Sequence, residues 1–268
     1  MPHYICTTCG VQHRATDAPP ERCVICEDER QYVGWSGQQW TTLEALREGH
    51  ANVIREQGPG LLGIGTEPGF AIAQRALLAR APGGNILWDA ISLIDDATIE
   101  AVRAQGGIAA IAVSHPHFYS SMVEWSRAFD GAPIYLHAAD RRWVMRPDPG
   151  IVYWEGETHP LGDGLTLVRC RGHFEGATVL HWAAGAGALL TSDTIKVSSD
   201  RRWVSFMYSY PNLIPLPAGA IDRIAQAVEP FPFDRIYGGW WDHIVFAHAK
   251  AAVARSARRY LRAIGAGQ

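Results

Sequence analysis

Apolar residues along this chain come in short runs broken by glycine, proline or single polar residues, a pattern that predicts strands more than long helices. Gly107-Ile108-Ala109-Ala110-Ile111-Ala112-Val113 is apolar throughout and reads as a fully buried strand. Gly164 to Val168 alternates, as a strand with one face in a core does. Thr178 to Trp182 and Ala188 to Asp193 are two more strands, and Ala183-Ala184-Gly185-Ala186-Gly187 between them completes a hairpin signature. Arg235-Ile236-Tyr237 before Gly238-Gly239 is a strand with a glycine break. Shorter strands are predicted at 52–55, 63–65, 76–79 and 86–89, separated by glycine and proline turns. Helices are predicted over 97–105 with Asp96 as cap, from Ser121 to Phe129, over 218–228, and over 247–264 with a stop at Gly265. Thr41-Thr42-Leu43-Glu44 and Ser121-Met122-Val123-Glu124 are spaced as capping boxes, which gives Ser120 and Ser121 a capping role rather than a catalytic one. Alternating β and α segments on both sides of a midpoint predict an α/β fold with two sheets between helices.

The residues that carry chemistry fall where these strands run out, which is where α/β folds bind ligands. His115 and His117 follow the buried run. Residues two apart in extended backbone project from one side, so both imidazoles can reach one ion. His173 follows the alternating strand, with Gly172 and Gly176 letting the backbone turn and present its ring. Asp193 ends the hairpin, and His243 follows the 235–239 segment. Histidines and an aspartate at strand-to-loop junctions form the nitrogen and oxygen set that suits zinc or iron.

This order of residues resembles the metallo-β-lactamase superfamily over roughly residues 50–268. In that family a His-x-His-x-Asp-His motif is followed by Gly-His, by Asp in a strand-end turn and by a late His. The matching positions here are His115, His117, His173, Asp193 and His243, and Asn85-Ile86-Leu87-Trp88-Asp89 is similar to the family's early strand ending in Asp. The resemblance implies an αββα sandwich. Where the family has its Asp-His, this chain has Tyr119-Ser120. The family's first site uses three histidines, which survive, whereas the second draws on the missing pair. The expectation is therefore one core metal, zinc with iron as the alternative, held by His115, His117, His173 and Asp193 with water completing the shell. If Asp193 does not ligate, it is expected to orient that water or accept its proton, and His243 is expected to shuttle protons or touch substrate. Tyr119 is expected either to donate a hydrogen bond to an oxyanion or to plug the space of the second metal.

Four of the five cysteines form Cys6-x-x-Cys9 and Cys23-x-x-Cys26, thirteen residues apart. Each pair supplies two thiolates from one tight turn, and two pairs close a tetrahedron around a metal. Two disulfides are the other reading, one that a reducing cytoplasm disfavours. So short a segment cannot fold on its own core, and metal binding must supply its folding energy. Residues 1–36 are accordingly expected as a four-cysteine metal module, a rubredoxin-like or zinc ribbon, and 37–268 as the metallo-β-lactamase-like domain. Tyr4-Ile5-Cys6-Thr7-Thr8-Cys9-Gly10 and Ala18-Pro19-Pro20-Glu21-Arg22-Cys23-Val24-Ile25-Cys26 are similar to the rubredoxin-like module of rubrerythrins, which implies iron, while related ribbons carry structural zinc. A glycine after each knuckle's second cysteine helps N–H groups approach sulfur. Gly10 provides one, but Glu27 stands in the other place, which favours structural zinc. Cys170 is expected to be a small buried hydrophobe.

Composition bounds these readings. At 268 residues, 47% hydrophobic and 19% charged, the chain can build one sizeable core and a small appendage. No run approaches the roughly 18 apolar residues of a membrane span. Met1 to Cys6 lacks a basic segment followed by an apolar one, so a cytoplasmic location is expected. A net charge of −3 argues against nucleic acid as the main partner. The first functional reading is a hydrolase that uses metal-bound hydroxide on a small ester, thioester or amide. The second is an iron-dependent oxidoreductase for a sulfur or oxygen substrate, with the knuckle delivering electrons. The third is a non-catalytic binding protein with a degenerate site. A small-molecule substrate is the expected partner, cations from Lys196 to Arg202 are placed to hold its carboxylate or phosphate, and the ribbon arm is a candidate homo-oligomer contact.

Overall fold

The computed structural model describes residues 1–266. The chain divides into two compact units, residues 1–136 with 141–153, and residues 137–140 with 154 onward.

The first unit begins with a three-stranded sheet of order β2-β1-β3, formed by β1 (His3–Cys6), β2 (Gln12–Ala15) and β3 (Trp40–Thr42). Helix α1 (Leu43–Gly49) follows at once. Its cap is Thr42, whose side chain accepts the Ala45 N–H at 3.3 Å, one residue later than a box opening at Thr41 would have it. Thr41 is still engaged in β3, opposite Ile5. The large sheet then forms as an antiparallel meander of β4 (Ala51–Gly58), β5 (Leu61–Glu67), β6 (Arg75–Ala79) and β7 (Ile86–Trp88). Strands β8 (Ala110–Ala112) and β9 (Ile134–His137) add in parallel, and β10 (Ile151–Trp154) closes the order β10-β9-β8-β7-β6-β5-β4. Parallel neighbours need crossovers, which α2 (Asp96–Ala104) and α3 (Met122–Ala128) supply. Leu77, Leu78, Leu87, Trp88, Ile111 and Ala112 are buried in this sheet.

Two capping expectations change. The cap of α2 is Asp95, not Asp96: extended Asp95 takes the Thr98 N–H on Oδ1 at 2.7 Å, and Asp96 lies in the first turn. Ser121 does occupy the N-cap of α3 but makes no capping bond. Glu124, the other arm of that box, is drawn to Arg146 Nη1 at 2.5 Å and to Gln12 Nε2 at 3.4 Å, and a charged partner outcompetes a backbone amide.

The second unit opens with four antiparallel strands, β11 (Thr158–Gly162), β12 (Leu165–Arg169), β13 (Thr178–Trp182) and β14 (Ala188–Ser192). Two small strand pairs follow, β15 (Lys196–Val197) with β16 (Val204–Ser205), and β17 (Met207–Ser209) with β18 (Ile214–Pro215). Helix α4 (Ala218–Val228) carries the chain to β19 (Arg235–Gly238), parallel to β14, and β20 (Ile244–Val245) completes the order β11-β12-β13-β14-β19-β20. Helix α5 (Ala249–Ala263) starts two residues later than the periodicity predicts, because His248 at its cap takes a φ of +57°. Val179, Leu189, Ile221, Ile224, Ile236 and Val253 share one buried core with these helices. Among the described residues, no helix is long and apolar enough to cross a membrane.

Candidate metal centre

Strand β7 is followed at once by Asp89, which adopts φ +63° and donates its N–H to the Ala112 carbonyl at 2.8 Å. Its buried carboxylate accepts the Ser114 N–H at 2.8 Å, so the end of one strand fixes the chain leaving the next. Ser114 Oγ in turn lies 2.9 Å from His115 Nδ1. His115 is extended and caps a 3-10 turn over Pro116–Phe118, with the Phe118 N–H donating to its carbonyl at 3.0 Å. The expectation that both histidines project from one extended strand is therefore corrected: His115 is extended, but His117 is carried inside the turn. Pro116 explains the change, since its fixed φ suits the first position of a helical turn. The two buried rings still meet edge to face, with centroids 5.3 Å apart.

His173 depends on two successive left-handed residues, Arg171 (φ +61°) and Gly172 (φ +81°). A Cβ on Gly172 would stand 2.9 Å from Ile224 Cδ1, so that position requires glycine. His173 Nδ1 lies 3.1 Å from the Met207 carbonyl, which makes Nδ1–H the donor and leaves Nε2 as the ring's electron-pair donor, the atom that could ligate an ion. The loop is tied down where the Gly176 N–H meets buried Asp140 Oδ1 at 2.9 Å. Asp193 sits in a tight turn after β14, closed by the Thr194 N–H to the Thr191 carbonyl at 3.1 Å and by Thr191 Oγ1–H to the Ile195 carbonyl at 2.8 Å. Its Oδ1 is 3.6 Å from His173 Nε2.

Lys196 stands three residues beyond Asp193, with Nζ 4.4 Å from the ring centroids of both Tyr210 and Trp240. Burial lowers the Lys196 pKa, while the charge of Asp193 opposes that shift. Burial, followed by the charge of Asp193, pushes the Tyr210 phenol well above its ordinary range. The His243 N–H reaches the Trp240 carbonyl at 3.3 Å, and its ring stands 5.6 Å from that of Trp240.

His115, His117, His173 and Asp193, all buried, each offer a ligand atom within 4.8 Å of the other three. An ion about 2 Å from each of several donors requires such spacing, and three imidazoles with a carboxylate fit zinc or iron. His243 and Tyr119 are not members of this cluster. Tyr119 is buried and lines a void of about 10 Å³ with Val11, Gln12 and Ser120. Sequence reasoning gave no role to Ser114 or to Asp89 beyond its place in a motif. A serine directly before the first histidine and an aspartate ending the neighbouring strand were the available signals.

The second cluster is Cys6, Cys9, Cys23 and Cys26, also buried and also within 4.8 Å of one another. Gly10 (φ +79°) closes the first knuckle onto the Cys6 carbonyl at 2.8 Å, and in the second knuckle the Cys26 and Glu27 N–H groups both reach the Cys23 carbonyl at 3.0 Å. Gln38 Nε2 donates to Cys6 Sγ at 3.2 Å. Sulfur contacts spread the thiol pKa values. Contact with Cys23 raises that of Cys6, but contacts with Cys26 and Cys9 bring it down to about 7, while Cys9 is pushed up. A cavity of about 630 Å³ in the second unit, lined by Arg169, Arg171, Arg223 and Phe231, contains no member of either cluster. Cys170 on its wall is pushed up to about 12 by burial, which makes it unreactive.

No family model matches the chain. It is 51% identical over 269 residues to the uncharacterized protein YmaE of Bacillus subtilis (strain 168), covering 98% of this chain and 97% of that protein. Among solved structures it resembles the DIM-1 metallo-β-lactamase (TM-score 0.60, 14% identity, 79% of this chain and 98% of the other). It also resembles FIM-1 from Pseudomonas aeruginosa in its mono-zinc form (TM-score 0.57, 14% identity, 78% and 95%). A third is described as the first B3 metallo-β-lactamase with an active site glutamic acid (TM-score 0.55, 15% identity, 84% and 94%). The fold is therefore the metallo-β-lactamase αββα fold that the histidine order implies, and the four-cysteine cluster fits a zinc-ribbon module.

Proposed function

Since the chain belongs to the family of Bacillus subtilis YmaE and has a fold of metal-dependent hydrolases, we propose that it hydrolyses a small ester, thioester or amide with the help of one core metal. The observation that carries this reading is the convergence of His115, His117, His173 and Asp193, all buried, with ligand atoms within 4.8 Å. Zinc bound by such a set lowers the pKa of a coordinated water to about 7 and polarises a carbonyl oxygen. The chain's own groups do the rest. The Asp193 carboxylate, 3.6 Å from His173 Nε2, orients the attacking water and holds a proton on its oxygen. The Lys196 ammonium, flanked by Tyr210 and Trp240, anchors an anionic group of the substrate. The Tyr210 phenol stays protonated at neutral pH, and its O–H donates to the Ser205 carbonyl at 3.1 Å, which holds the ring beside Lys196. His243 carries protons at the periphery. For Tyr119, contact with the same void as Val11 and Gln12 supports space-filling over oxyanion stabilisation. The segment 1–36 serves as a structural module, with zinc held by its four thiolates.

Metal analysis and a visible spectrum, followed by a screen of aryl esters and thioesters, test this. About two zincs per chain are expected, with hydrolysis lost in His115→Ala. Iron with thiolate-to-metal absorption, or a His115→Ala chain that keeps its full metal content and activity, would sink the proposal in favour of the redox reading.

A further inference from the structure

Within the first unit, the ribbon is bound to the segment that follows the histidine pair. The Gln12 N–H donates to the Ser120 carbonyl at 3.0 Å, and Ser92 Oγ–H donates to the Gly10 carbonyl at 2.8 Å. The Arg14 N–H reaches the Met145 carbonyl at 3.1 Å. The Gln12 side chain accepts from buried Arg146, which also pairs with Glu124 at 2.5 Å. At Gly10 an added Cβ would come within 2.6 Å of Ser92 Oγ, so the approach is as close as the backbone allows. The void along this seam, about 10 Å³, has room for at most one water. The two surfaces must therefore move together.

Ser120 is the pivot. It takes φ +41°, uncommon for a residue other than glycine, and its hydroxyl accepts from Gln74 Nε2 at 2.8 Å while its carbonyl is held by Gln12. From Ser120 back to the histidines the turn is continuous. The Met122 N–H bonds the Tyr119 carbonyl at 3.0 Å, the Tyr119 N–H bonds that of Pro116 at 3.3 Å, and the Phe118 N–H bonds that of His115 at 3.0 Å. On the other side, the residues that place Gln12 belong to a module whose interior is four cysteines with Ile5, Val11 and Ile25. So small an apolar set does not order a segment without metal.

We propose that the four-cysteine ribbon is a positioning device for the core metal. Loading the ribbon fixes Gly10 to Gln12, which hold Ser120 in its left-handed conformation and so set the turn that carries His115 and His117. Gln12 and Ser120 are positioning residues, and this role rests on the core-metal reading above. It also gives the ribbon a purpose that requires no electron transfer.

The test measures core-site zinc affinity by chelator competition in the full chain, in Cys23→Ser and in Ser92→Ala, with hydrogen exchange of the 117–122 amides. Cys23→Ser should lose the ribbon metal and weaken core zinc by about tenfold or more, the usual scale for losing an outer support of a metal ligand. Exchange at 118–122 should accelerate while that of β12 to β14 does not. Ser92→Ala touches no metal ligand and keeps the ribbon loaded. It should weaken core zinc several-fold and shift the ligand-field bands of cobalt placed in the core site. Unchanged affinity and exchange in a Cys23→Ser chain that has lost its ribbon metal would overturn the proposal. Should that variant not fold, unchanged affinity and cobalt bands in Ser92→Ala would overturn it alone. A native chain with a loaded ribbon and no core metal would overturn both this and the hydrolase reading.

Discussion

Asp89→Ala is the perturbation whose outcome the structure fixes most closely. The Asp89 carboxylate is buried and accepts the Ser114 N–H at 2.8 Å, and Ser114 Oγ reaches His115 Nδ1 at 2.9 Å. Removing the carboxylate leaves a buried amide without its acceptor, which costs about 1–3 kcal/mol. Alanine must also hold φ +63°, where a residue with a short polar side chain is at ease and alanine pays roughly 1 kcal/mol. The expected loss of stability is thus about 2–4 kcal/mol. Asp89→Asn keeps an oxygen in place and tolerates the same φ, so the hydrogen bond to Ser114 loses its charge contribution, about 1 kcal/mol, but not its acceptor. Because Ser114 precedes His115, the alanine variant should also bind core zinc about 10–100-fold more weakly, and the asparagine variant much less so. Urea unfolding of the metal-free chains reads the first quantity, and chelator competition reads the second. Equal stabilities for the two variants, or unchanged zinc affinity in Asp89→Ala, would refute the chain of support from Asp89 through Ser114 to His115.

Two further outcomes follow from charges. Lys196→Met should raise KM about tenfold or more for esters that bear a carboxylate and leave neutral esters unaffected, since a charged hydrogen bond contributes about 1.5–3 kcal/mol. An equal loss for both substrate classes would mean that Lys196 acts on the fold rather than on the substrate. Burial would raise the pKa of Glu124, but Arg146 and Gln12 bring it below its ordinary 4.5. The folded value is depressed, so its stabilisation is fully present above about pH 4.5 and is lost as pH falls through the lower folded value. Acid should therefore loosen the ribbon seam below pH 4.5, and Glu124→Gln should flatten that part of the profile of melting temperature against pH. A profile identical to that of the native chain would contradict it.

The elements most legible in the sequence are those whose pattern is local. The hairpin ending at Asp193 and the 218–228 helix appear where periodicity puts them, because side-chain spacing alone decides them, whereas the apolar run before His115 forms a strand only over Ala110–Ala112 and leaves Ala109 exposed. The caps are less legible. Thr41, Asp96 and Ser121 each have the right neighbours in sequence, but strand pairing at Thr41 and an ion pair at Glu124 redirect the groups, and neither is visible at a spacing of three residues. The geometry of His-x-His departs from expectation for a related reason. Its spacing fits a strand or a turn, and Pro116 between the histidines is the residue that decides for the turn. The least legible contacts join residues more than a hundred positions apart, Gln12 with Ser120 and with Arg146, which no periodicity connects.

Those distant contacts bear on the departure at Tyr119-Ser120. The metallo-β-lactamase resemblance leads one to expect Asp-His there, two side chains turned to a second metal. Here the same two positions face another requirement. Ser120 gives its carbonyl to the ribbon's Gln12 and its hydroxyl to Gln74, and Tyr119 lines the seam with Val11 and Gln12. Ser120 is thus committed to the ribbon through its backbone and to Gln74 through its side chain. The position where the resemblance leads one to expect a second-site ligand is thus also the one that the ribbon binds. A chain given Tyr119→Asp and Ser120→His would be expected to lose ribbon contact as it gained a second metal.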